Sequence, residues 1–167
     1  MSRSEPHDRR PIEHGRAGRA VTAAIAVALL AGACAGPPVP NTPVPATDVF
    51  QELALAGAST VNLVSGDPGC SDANMIPYAI HAQVKMPPGS AATSDVYLFT
   101  WASSAGWTRG GVAFESCRSE FAAGPKAAGR PVDEIDISPY RMFGAGWSPA
   151  LKTALTQALT NAAGDGS

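Results

Sequence analysis

An α+β domain is predicted by three observations. Apolar residues recur at helical spacing near residue 50, they do so again after residue 148, and the segments between alternate with a period of two. Helix, run of short strands, helix, with short gaps, calls for an antiparallel sheet of about four to five strands flanked by an N-terminal and a C-terminal helix.

Residues 45–57 read as the first helix. Thr47 or Asp48 can cap it, Asp48 and Gln51 have capping-box spacing, and Gly57 can end it. Val49, Phe50, Leu53 and Ala56 or Gly57 share a face that needs burial. Residues 60–64 give an edge strand, and Gly66-Asp67-Pro68-Gly69 a turn. Tyr78, Ile80, Ala82, Val84 and Met86 then alternate with Ala79, His81, Gln83 and Lys85, the pattern of a half-buried antiparallel strand.

After a hairpin connection over 87–94, residues 96–101 are apolar or aromatic on both faces and form a central strand. Residues 112–118 are expected as the next strand, with Gly110-Gly111 as a bulge or bend, and 132–137 as the one after. Residues 140–147 are expected to link that strand to the last helix. There Ser148 is a good N-cap, Pro149 suits the first helical position, and Gly164 suits the end. Leu151, Leu155, Ala158, Leu159 and Ala162 make its apolar stripe.

The first 46 residues have a different character. Arg3, Arg9, Arg10, Arg16 and Arg19 precede an uncharged stretch, Ala20 to Ala33, and Cys34 follows. As a helix those apolar residues reach ~21 Å, short of the ~30 Å hydrocarbon core of a bilayer. A positive segment, a short apolar segment and a small-residue site make an export signal. With the cysteine just past the site, the leader resembles the lipobox of bacterial lipoproteins, apart from Ala31 where leucine is usual. The resemblance implies that 1–33 is a removed signal peptide and that Cys34 is lipidated. It places the protein on the extracytoplasmic side of the cell membrane, in the cell envelope. Ala31-Gly32-Ala33 is also an ordinary secretory cleavage site, so free secretion is the alternative.

Residues 34–46 are then the lipidated cysteine and a proline-rich tether, and 47–167 a single α+β domain. Twelve residues of extended, proline-spaced chain span ~37 Å, enough to hold a folded body off a surface.

Three cysteines are present: Cys34, Cys70 and Cys117. Assigning Cys34 to a lipid leaves Cys70 and Cys117 as a disulfide pair in an oxidising compartment. Without the leader, seven Lys+Arg face eleven Asp+Glu. No basic cluster stands out, which argues against nucleic acid as a partner. The expected partners are the membrane, through the anchor, and an envelope protein or a small apolar ligand.

Catalytic motifs are lacking. His81, the one histidine beyond the leader, falls on the polar face of a strand and is expected to be solvated. There is no G-x-S-x-G and no S-x-x-K, and Ser148 and Lys152 stand four apart. Asp133, Glu134 and Asp136 could offer oxygen ligands but lack a cation-binding loop, so they read as a solvated strand face. Asp67, Asp72 and Asn74 read as turn residues. Neither a cofactor nor a metal is called for, and a non-catalytic binding domain is the reading that remains; an envelope hydrolase using His81 as base is the least favoured.

Aromatic and arginine residues on glycine-rich segments make the candidate binding surface: Trp107, Tyr140, Arg141, Phe143 and Trp147. Trp107 is expected to be the most exposed. The competing expectation is that Phe143 and Trp147 pack the C-terminal helix onto the sheet.

Overall fold

A computed structural model describes residues 46–164. The leader, Cys34 and the tether up to residue 45 lie outside the described residues.

The first helix, α1 (Ala46–Leu55), buries Val49 and Leu53, the positions its sequence spacing selects. It already contains Thr47 and Asp48, which therefore do not cap it from outside. Gly57, at φ +83°, ends it: the amides of Gly57 and Ala58 turn back to the carbonyls of Ala54 and Leu53, at 3.0 and 3.2 Å. Strand β1 (Ser59–Ser65) follows, then a 3-10 helix (Ala73–Tyr78) capped by Asp72, whose carboxylate accepts from the Asn74 amide at 2.9 Å. Strands β2 (Ala79–Lys85) and β3 (Ser94–Thr100) lie where the alternation put them.

The next element departs from expectation. Residues 112–118 are not a strand but the middle of α2 (Ser104–Ala123), a 20-residue helix. Its N-cap is Ser103, whose hydroxyl accepts from the Gly106 amide at 3.1 Å. It buries Phe114, Cys117 and Phe121, a helical i, i+3, i+7 set. Gly110 and Gly111 are accordingly not a bulge. They lie within the helix, where a Cβ on Gly110 would stand 2.5 Å from the Trp101 indole nitrogen. Their bareness is what lets α2 lie this close to the sheet.

Strand β4 (Val132–Ile137) has the expected bounds, but residues 140–147 are not a linker. Tyr140–Ala145 form a fifth strand, β5, buried throughout. The last helix, α3 (Pro149–Gly164), starts as its sequence indicates: the Ser148 hydroxyl accepts from the Leu151 amide at 3.2 Å.

All four strand pairings are antiparallel, in the order β1-β2-β3-β5-β4, so β1 is an edge as expected. The chain leaves β3 through α2, reaches the far edge as β4, then turns back to set β5 between β4 and β3. The sheet is covered on both faces. On one side α1 and α3 bury an aliphatic layer including Leu53, Val96, Leu98, Met142, Leu155 and Leu159. On the other, α2 and the 3-10 helix bury an aromatic one, including Tyr97, Phe99, Trp101, Phe114, Phe121 and Phe143. Strand alternation sorts the two: Val96 and Leu98 point one way, Tyr97 and Phe99 the other. Phe99 and Phe114 meet edge to face at 5.3 Å and 87°, the arrangement the ring quadrupoles favour.

Cys70 and Cys117 are bonded, with Cα atoms 5.2 Å apart. The bridge fastens the loop after β1 to α2 rather than to a strand. Beside it, the amide and hydroxyl of Ser71 both donate to the Glu120 carboxylate at 2.9 Å. No helix among the described residues is long and apolar enough to cross a membrane.

Candidate functional site

The five aromatic and arginine positions do not form one exposed surface. Tyr140, Arg141 and Phe143 belong to β5, which has a strand on each side and helices over both faces, so burial follows from topology. Tyr140 faces the α1–α3 layer; Phe143 faces α2, where it touches Tyr97, Phe99, Phe114 and Phe121. Phe143 thus packs under α2 and not under the C-terminal helix. Trp147 does pack with the C-terminal helix. Its indole donates to the Asp95 carbonyl at 3.0 Å, and its amide donates to the Asp133 carboxylate at 3.0 Å. This fold-back crosses Gly144, where any Cβ would collide with the Asp95 carbonyl and the Trp147 ring.

Three of the five do meet. Trp107, half-buried, is the most exposed of the five, and its indole donates to the Tyr140 carbonyl at 3.3 Å. The Arg141 guanidinium lies 4.4 Å from the centre of the Trp107 ring and 5.3 Å from that of Phe114. Arg141 is 8% exposed, and its Nε stands 3.3 Å from the Asp136 carboxylate. The weak hydration of guanidinium and the negative faces of the rings make such a cation tolerable inside.

His81 is not freely solvated. Its Nδ1 lies 3.0 Å from Asp67 and its Nε2 2.9 Å from Asp95, and its ring stacks on Tyr97 at 4.4 Å and 7°. Each ring nitrogen thus lies within hydrogen-bonding distance of a carboxylate, and neither points into an open site. The carboxylates sit at opposite ends of the ring and do not converge on a point where a cation could bind all three groups. Asp67 also accepts from the Gly69 amide at 2.9 Å, as its turn position predicts. Burial, reinforced by the charges of Asp67 and Asp95, pushes the Tyr97 phenol well above its ordinary value.

The acidic residues of β4 are ion-paired. Asp133 meets Lys152 at 3.0 Å, Glu134 meets Arg118 at 3.1 Å, and Asp136 meets Arg141. No group of three or more metal-ligating side chains is found among the described residues.

A groove that the sequence reading missed lies between the 3-10 helix and the first half of α2. Its volume is about 490 Å³, within the range of small-ligand sites. The 3-10 helix contributes Met75, Pro77 and Tyr78, the end of β3 contributes Trp101, and α2 contributes Gly106, Arg109, Gly110 and Ala113. The α2 residues follow i, i+3, i+4, i+7 spacing and so share one face. Three of the four are Gly or Ala, and the missing side chains are what hollow the groove. Tyr78 and Trp101 stack across one end, with centroids 5.7 Å apart and an angle of 22°. Tyr78 stays 39% exposed, while Trp101 is held below by Gly110. Arg109 is the one charged residue in the lining. The repeat Gly106-x-x-Arg109-Gly110-x-x-Ala113 was the available signal, and it is visible only once 104–123 is read as a helix.

No protein-family profile, curated protein or solved structure matches the chain.

Proposed function

We propose that the protein is a lipid-anchored component of the cell envelope, held through Cys34, and that its α+β domain binds a small ligand without catalysis. The groove between the 3-10 helix and α2 carries the binding half of this reading. It is concave, mostly apolar, floored by aromatic rings, and of small-molecule size. Both nitrogens of the one histidine in the domain are held by carboxylates, which weighs against the hydrolase alternative.

The anchoring half rests on the leader and on cysteine pairing. Cys70 and Cys117 occupy each other, which leaves Cys34 as the remaining thiol. A small apolar ligand is favoured over an envelope protein as occupant, because the groove is short and bounded by two helices. Blocking lipoprotein leader cleavage with globomycin in the native host should make the full-length precursor accumulate. Unchanged processing would overturn the anchor. Native mass spectrometry of protein purified from that host tests the binding half, which predicts a retained small molecule.

A further inference from the structure

We infer that the groove selects an amphipathic anion: an apolar body lying along Tyr78, Trp101 and Ala113, with a carboxylate or phosphate at Arg109. The inference rests on the groove being the binding site, and it adds the charge of the ligand.

Charge complementarity carries it. Arg109 is the single charged residue of the lining, and no carboxylate faces it there. Arg118, Lys126, Arg141 and Lys152 each lie on an Asp or Glu, whereas the Arg109 side chain makes no ion pair or hydrogen bond among the described residues. Apart from Asn74, whose carboxamide is uncharged and donates to Asp72, the remaining walls are hydrocarbon and aromatic, so they favour burial of an apolar body without specifying its charge. A cation could find the Tyr78 ring attractive, but it would meet Arg109 at the same mouth. Tyr78 and Trp101 have already turned one face to each other. The domain carries a net negative charge beyond its leader, so attraction for an anion is local to Arg109 and not a property of the whole surface.

Decanoate, decyl phosphate, decanol and decyltrimethylammonium share one chain and differ in head group. Each is titrated into the full mature protein and followed by tryptophan emission, to which Trp101 on the groove floor contributes. The two anions should bind about threefold tighter than decanol, the scale of a partly exposed ion pair, and about tenfold tighter than the cation. Raising salt should shrink the preference. Arg109→Gln, an exposed change that leaves the melting temperature alone, should bring the anions to the level of decanol. Ala113→Leu, which fills the groove, should weaken all ligands together. If decanoate binds more tightly than decyl phosphate, the head group is a carboxylate; the reverse order assigns a phosphate. Equal binding of anions and decanol, unaltered by Arg109→Gln, would overturn the inference and leave the groove reading standing. Binding that ignores Ala113→Leu, or no binding by any probe, would overturn both.

Discussion

Removing the Cys70–Cys117 bridge should destabilise the domain by a calculable amount. The bridge spans 47 residues, and loop-closure entropy assigns such a loop about 4 kcal/mol at 25 °C. The closed loop holds the 3-10 helix, β2, β3 and nearly four turns of α2, so its freedom when unfolded is large. In the folded protein the loss is local, because Ser71 keeps both hydrogen bonds to Glu120 and holds the loop against α2. The effect therefore falls mainly on the unfolded state. At about 2.1 cal/mol/K of unfolding entropy per residue, a domain of roughly 120 residues should lose about 15 °C in melting temperature. Differential scanning calorimetry of the purified protein, oxidised against reduced, measures this, and Cys70→Ala/Cys117→Ala should match the reduced form. A fall of less than about 3 °C would refute the entropic argument, and free thiols at both positions in the unreduced protein would refute the pairing.

Gly144→Ala should be among the most damaging single methyl additions, because the new Cβ meets the Asp95 carbonyl and the Trp147 ring, neither of which can retreat without breaking their mutual bond. A loss of about 3 kcal/mol, read by urea unfolding, is expected, and a loss below about 1 kcal/mol would contradict the packing described. Alkaline pH should destabilise the fold through Tyr140, whose phenol burial, with the Asp48 charge adding to it, pushes up to about 12. The unfolded phenol titrates near ~10, so stability is intact below that pH and drops by up to about 2–3 kcal/mol as pH rises toward 12. Tyr140→Phe should reduce that slope in urea unfolding at pH 9 and 11.5, leaving the share due to Tyr97, which is raised in the same direction; a slope unchanged by the substitution would refute the assignment.

Most elements were legible because their periods were clean. The strand at 79–85 alternates without interruption, and the last helix has a cap, a proline at its first position and a continuous stripe. The two errors share a cause, which is glycine. Gly110 and Gly111 lower helix propensity by roughly 1 kcal/mol each relative to Ala, and they made 112–118 look like a strand after a bend. The decisive spacing was longer: Phe114, Cys117 and Phe121 lie on one helical face, and Ser103 caps it. Gly144 and Gly146 likewise made 140–147 look like a loop, although Tyr140 and Met142 face one layer and Arg141, Phe143 and Ala145 the other. In both places glycine marks a close approach, of α2 to Trp101 and of Trp147 to β5, and close approach is a tertiary fact that local propensity does not carry. The groove is illegible for the same reason, since its α2 wall exists only when 104–123 folds as a helix.

The strand order has a consequence for how the molecule comes into being. A chain made from its N-terminus delivers β1, β2 and β3 as a local meander, yet their neighbour β5 is the last strand to appear, some 40 residues after β3 ends. Until then one edge of β3 lies open, and Tyr97 and Phe99 lack Phe143 beside them. Completion waits for the β4–β5 hairpin to enter as a unit, a step that depends on contacts distant in sequence and is slow for that reason. A chain stalled before residue 145 would carry a half-sheet with an unpaired edge, the kind of surface that pairs with other chains. The fold therefore closes only once β5 is available, when α3 is the one described element still to come.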